Sequence, residues 1–103
     1  MSKFQTITED HIDLMHFIQE NGVTSQRKIS RHTGFSIGKV NYCISELIDV
    51  GFIKIKNFSN SSQKIKYVYI LTPKGIQQKT AITKKFILKK KQEYDKLNSY
   101  INK

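Results

Sequence analysis

Residues Ser36–Gly51, read as SIGKVNYCISELIDVG, constrain the fold more than any other stretch. Val40, Cys43, Ile44, Leu47 and Ile48 fall at i, i+3, i+4, i+7 and i+8. On a helix of about 3.6 residues per turn they make one apolar stripe, which has to pack on something. The other side carries Gly38, Lys39, Asn41, Tyr42 and Ser45, with no carboxylate before Glu46. Ser36 is placed to cap the first turn, its hydroxyl accepting a backbone N–H, and Gly51 to end the helix in a left-handed conformation.

The elements before it are helical and shorter. Thr8 opens a helix through Glu20, with Glu9 and Asp10 in the first turn, where the helix dipole favours anions. Ile12, Leu14, Met15, Phe17 and Ile18 supply its apolar face, and Asn21-Gly22 stops it. His11 and His16 are not spaced as a metal-binding pair. Val23-Thr24 is one extended step that would pair with a later strand. Ser25 caps a second short helix, SQRKISRHTG, with Ile29 as its inward anchor and Gly34 as its stop. Two short helices joined by a tight turn, the second longer, are a helix-turn-helix arrangement. An ordinary helical hairpin explains the apolar stripe equally well, but not why both outward faces lack acids.

After Gly51 the period changes to two. Ile53 and Ile55 alternate with Lys54 and Lys56, and Ile65, Tyr67, Tyr69 and Leu71 alternate with Lys66, Val68 and Ile70. Two strands follow, joined through the polar stretch NFSNSSQ, with Lys54, Lys56, Lys64 and Lys66 on the solvent face and tip. Ile55, Tyr69 and Leu71 are the expected contacts with the helices, since a lone hairpin is not stable in water. Thr72 and Pro73 then restart helix, which nothing breaks before about Ile101. It would run about 40 Å, longer than such a domain is wide. Ile82, Phe86, Ile87, Tyr94, Leu97 and Ile101 leave apolar surface along it, which suits a second copy of the chain. The competing arrangement folds this helix back over the first one.

Charge is divided along the chain. Residues 1–51 hold five basic and six acidic residues, whereas 52–103 hold thirteen lysines against Glu93 and Asp95. Arg27, Lys28, Arg31 and Lys39 also lie in a run without acid from Val23 to Tyr42. Basic fields of this kind attract polyanions. A lysine-rich surface that is merely solvated is the plain alternative. The single cysteine, Cys43, rules out an internal disulfide and any cysteine-based zinc site. No stretch approaches a membrane span of about 20 apolar residues, and the N-terminus lacks a signal pattern, so a cytoplasmic location is expected. No phosphate loop, metal constellation or nucleophile with a paired base argues for an enzyme, and no cofactor is expected.

The order helix, helix-turn-helix, basic hairpin, helix gives an α+β, mostly helical fold. It is a winged helix-turn-helix with a two-stranded wing and a long C-terminal dimerisation helix. Residues 1–75 form the DNA-binding part and 73–103 the dimerisation helix, within one structural domain. Over roughly residues 8–80 the sequence resembles the MarR-type transcriptional regulators. The resemblance rests on Ile48-Asp49-Val50-Gly51-Phe52-Ile53 at the end of the recognition helix and on Leu71-Thr72-Pro73-Lys74-Gly75 at the strand-to-helix junction. Lys84, Lys85, Phe86, Lys90, Glu93, Tyr94 and Leu97 look most like the small members associated with bacterial exopolysaccharide loci. The resemblance implies a bacterial transcription factor that binds operator DNA as a homodimer. Larger members build their interface from additional terminal helices, so here the interface must be smaller or differently arranged. Their wing commonly carries Asp and Arg, where this one carries lysines, Asn57, Asn60 and serines. Lysine is a point charge without the planar fork of arginine, so this wing is expected to grip phosphate.

Side-chain chemistry assigns the parts of a double-stranded DNA interface. Lys39, Asn41 and Tyr42, with Ser36 at the helix start, would face the major groove, and Gly38 would allow close approach of the backbone. Ser25, Gln26, Arg27 and Arg31, with Lys54, Lys56, Lys64 and Lys66, would contact phosphate. Two copies would present successive major grooves, so a palindromic site is expected. Two other readings remain open: a winged-helix protein-interaction adaptor with only non-specific DNA affinity, and redox sensing through Cys43. On the apolar stripe, however, a cysteine is more often a small buried hydrophobe.

Overall fold

The computed structural model describes residues 7–22, 25–59 and 65–102, with side chains described outside 57–67. The elements are α1 (Glu9–Asn21), α2 (Gln26–Thr33), α3 (Ile37–Asp49), β1 (Ile53–Ser59), β2 (Ile65–Leu71) and α4 (Pro73–Ile101). The strands pair antiparallel. This is the winged-helix arrangement expected, with a two-stranded wing and a long C-terminal helix.

Local side chains start the helices. The Ser25 hydroxyl accepts the Lys28 N–H at 3.2 Å, Ser36 accepts that of Lys39 at 3.1 Å, and Thr72 accepts that of Gly75 at 2.9 Å. Pro73 occupies the first position of α4, where a missing N–H is harmless. At α1 the roles reverse: the Thr8 backbone N–H donates to Nδ1 of His11 at 3.0 Å. The end of α3 is a Schellman turn. Gly51 has φ 82°, its N–H donates to Ile48 O at 3.0 Å, and Phe52 N–H donates to Leu47 O at 2.8 Å. That turn reverses the chain and carries Phe52 and Ile53 directly into the core.

The core joins Leu14, Met15 and Ile18 of α1, Ile29 of α2, Val40, Cys43, Ile44 and Leu47 of α3, and Phe52 and Ile53. Ile48 lies at its edge, half-buried. Each helix alone shows only one apolar stripe, so the helices are stable through this shared burial rather than through propensity.

The hairpin departs from expectation in three ways. β1 continues through Asn57, Phe58 and Ser59, which pair with Tyr67, Lys66 and Ile65. These turn-forming residues join the ladder because pairing satisfies their backbone groups, which outweighs a weak local preference. Residues 60–64, with the expected tip and Lys64, lie outside the described residues, as does the extended step expected at Val23-Thr24. Ile55, expected to face the helices, is instead 48% exposed, while Ile53 is 2% exposed. Two residues advance a strand by about 7 Å, which carries Ile55 beyond the helical body. Tyr69 and Leu71 do pack on the core, and Val68, expected on the solvent side, is buried.

α4 is used along half its length. Ile82 and Phe86 pack against the core of their own chain, and Nζ of Lys79 meets His16 Nδ1 at 2.9 Å and donates to Gln19 Oε1 at 2.7 Å. Both contacts tie α4 to α1. Ile82 and Phe86 therefore offer a second chain less surface than their spacing suggests. From Ile87 onward every described residue is exposed, including Leu88, Tyr94, Leu97, Tyr100 and Ile101. The radius of gyration is 16.8 Å, against about 13 Å for a compact chain of this size. The projecting half of α4 accounts for that excess. Among the described residues no helix is long and apolar enough to cross a membrane.

Candidate nucleic-acid interface

The buried stripe of α3 decides which of its side chains face outward. Successive residues turn by about 100° around a helix. With Val40, Cys43, Ile44 and Leu47 buried, Gly38, Tyr42, Ser45 and Asp49 project oppositely. Asn41 lies on the flank towards α2, and Lys39 with Glu46 on the flank towards α1. Tyr42 is 62% exposed, and Gly38, Asn41 and Ser45 are exposed with it. The first two turns thus present a donor-rich face without a carboxylate.

Several expected contacts have partners within the protein. Nζ of Lys39 donates to Asp10 Oδ2 at 2.6 Å and stands 4.2 Å from the centre of the Phe35 ring. The amide of Gln26 donates to Asn41 Oδ1 and to the Tyr69 hydroxyl, each at 3.2 Å. Both of its protons are thereby engaged, so Gln26 joins α2 to α3 and to the wing rather than reaching freely for phosphate. The hydroxyls of Ser25 and Ser36 serve as caps. Arg27, Lys28 and Arg31 lie exposed along α2, and Lys54 and Lys56 along β1. Lys66 stands opposite Phe58 in the ladder.

Glu46, the first carboxylate along α3, is occupied within the protein. His11 is 4% exposed, and its Nε2 lies 2.9 Å from Glu46 Oε1. Because the Thr8 N–H can only donate, Nδ1 accepts and Nε2 carries the proton to Glu46. The pair locks α1 against the flank of α3. Asp49 is the acid left on the outward side, one turn beyond Ser45. Asp10 is the neighbour that sequence reasoning missed: its only signal was its place in an acidic first turn, which the helix dipole explains by itself.

The histidines and the cysteine are structural here. His32 stacks on Phe17 with ring centres 4.4 Å apart. Among the described residues, no group of three or more His, Cys, Asp or Glu side chains is arranged to hold a metal ion. Cys43 is 3% exposed, and burial pushes its thiol pKa up, helped by the nearby Glu46 carboxylate. A buried thiol held protonated is a poor sensor.

Comparison with known proteins agrees with this architecture. Residues 11–54, which span most of α1 through the start of β1, match the family of winged helix-turn-helix DNA-binding domains. A search of curated proteins found no match. Among solved structures the chain is similar to the transcriptional regulator SlyA, with 22% identity and a TM-score of 0.65 over 88% of this chain and 63% of that one. It is also similar to MepR, a transcription regulator of the Staphylococcus aureus multidrug efflux pump MepA, with 16% identity and a TM-score of 0.65 over 91% of this chain and 68% of that one. A third is FabT of Streptococcus pneumoniae, solved in complex with DNA, with 16% identity and a TM-score of 0.61 over 91% of this chain and 64% of that one. The chain spans less than two-thirds of the length of FabT and SlyA. At these identities the likeness is one of fold.

Proposed function

We propose that the protein is a MarR-type transcriptional regulator that binds double-stranded DNA as a homodimer on a palindromic operator. The observation that carries this reading is the exposed, carboxylate-free opening of α3. Gly38, Asn41, Tyr42 and Ser45 are exposed on it, as are Arg27 and Arg31 on α2 and Lys54 and Lys56 on β1. α3 enters the major groove, where Asn41 suits adenine and Tyr42 supplies an apolar ring with a hydroxyl. The arginines and lysines neutralise phosphate and set the salt dependence. FabT and a MepR variant, which share the fold, were solved with DNA. A cytoplasmic location accompanies that role. The narrower likeness to the exopolysaccharide-associated regulators rests on α4 residues from Lys84 to Leu97.

The projecting half of α4 supports the dimer. Ile87, Tyr94, Leu97 and Ile101 recur at heptad-like spacing and are 61%, 66%, 62% and 80% exposed. The same surface favours a second reading, a protein-interaction adaptor whose DNA affinity is only electrostatic. Selection of the full chain on random duplex DNA at near-physiological salt separates the two. Recovery of an inverted repeat supports the regulator. Weak binding that sharpens on no sequence supports the adaptor.

A further inference from the structure

We infer that Asp10 sets the strength of DNA binding by competing with the phosphate backbone for Lys39. The inference rests on the DNA-binding reading above. Lys39 belongs to the first turn of α3, where the helix dipole disfavours a cation. Asp10 reaches it from the first turn of α1, at 2.6 Å, and the Phe35 ring supports the ammonium from below. The lysine is therefore drawn to the flank of α3 that faces α1, away from the outward face formed by Gly38, Tyr42 and Ser45.

The neighbouring acids are engaged elsewhere. Glu9 pairs with Lys90 at 3.0 Å, and Glu46 with His11. The Lys39 and Asp10 side chains are 44% and 43% exposed, so their pairing is solvent-screened and of modest strength. A DNA phosphate offers the same single negative charge. Lys39 can thus exchange Asp10 for phosphate at the rim of the groove with little change in its own environment, and Asp10 offsets part of the gain. On this account Lys39 is a phosphate contact, not a contact to the base edges of the major groove.

The test measures binding of the full chain to a selected duplex and to a random duplex across a salt series. Wild type is compared with Asp10→Asn, Lys39→Ala and the double variant, and thermal melting checks that each folds. Asp10→Asn should bind a few-fold more tightly to both duplexes, with the log–log salt slope steeper by about one. In the Lys39→Ala background the same substitution should lose most of that gain. An unchanged Asp10→Asn affinity overturns the inference. So does a gain of equal size without Lys39, which would mean that the acid acts only through general repulsion. A wild-type chain that binds no duplex removes the functional reading itself, an outcome distinct from both.

Discussion

A methyl group on Gly75 would stand 2.1 Å from the carbonyl oxygen of Phe52. The first turn of α4 lies directly on the backbone that leaves α3. Thr72 N–H donates to that same oxygen at 3.0 Å, and the Thr72 hydroxyl donates to Gly51 O at 2.6 Å. Within a helix, glycine to alanine normally gains about 1 kcal/mol. Here the clash is with backbone and cannot be relieved by a rotamer change. Gly75→Ala should therefore destabilise the protein by about 1–3 kcal/mol. A drop in melting temperature of about 4–8 °C per kcal/mol would be the readout.

Gly38 makes the opposite case. Among the described residues, a methyl there meets only Ser36 Oγ, at 4.0 Å. Gly38→Ala should raise stability by up to about 1 kcal/mol through helix propensity. It should also weaken DNA binding if the α3 backbone approaches the groove at this point. A variant that melts higher and binds unchanged would show that Gly38 lies outside the interface.

Gln26 distinguishes a bridge from a phosphate contact. Gln26→Leu removes the donors to Asn41 and Tyr69, at a cost of about 1 kcal/mol. A bridge that holds Asn41 in place should, when lost, relax sequence preference while leaving affinity for random DNA nearly the same. Loss of a phosphate contact should weaken every sequence alike. Binding of selected and scrambled duplexes by the variant decides between them.

What could be read from the chain was local. The α3 stripe, the caps at Ser25, Ser36 and Thr72, and the Gly51 stop all depend on neighbours within a few residues. The polar ties that shape the candidate site do not. Asp10–Lys39, His11–Glu46 and Gln26–Tyr69 join residues 29, 35 and 43 positions apart. They exist only because α1, α2, α3 and the wing meet around the core. The same holds for Ile55, Ile82 and Phe86: spacing marks them as apolar, but only the position where each element leaves the body decides whether that surface is covered.

Cys43 should behave as core. Its thiol titrates above the ordinary range, about 8.5, because burial disfavours the thiolate. The unfolded chain therefore releases this proton first, so the thiol's contribution to stability falls as pH rises through and above that range. Labelling of the folded protein by a thiol reagent at neutral pH should be slow and should follow global unfolding. Rapid labelling of the native state would reopen the redox reading.

The two halves of α4 should separate stability from assembly. Phe86 is half-buried against the core, so Phe86→Ala should cost about 2 kcal/mol, roughly half the value for a fully buried ring. Leu97 and Ile101 are 62% and 80% exposed, so glutamate at both positions removes little buried surface. If the projecting half pairs two copies, Leu97→Glu with Ile101→Glu places like charges along the seam. The mass measured by light scattering should then halve, while the melting temperature of the dilute protein stays the same. Affinity for a palindromic duplex should fall towards that for a single half-site, since the two recognition helices no longer bind as one unit. A double variant that remains dimeric would place the interface elsewhere on the chain.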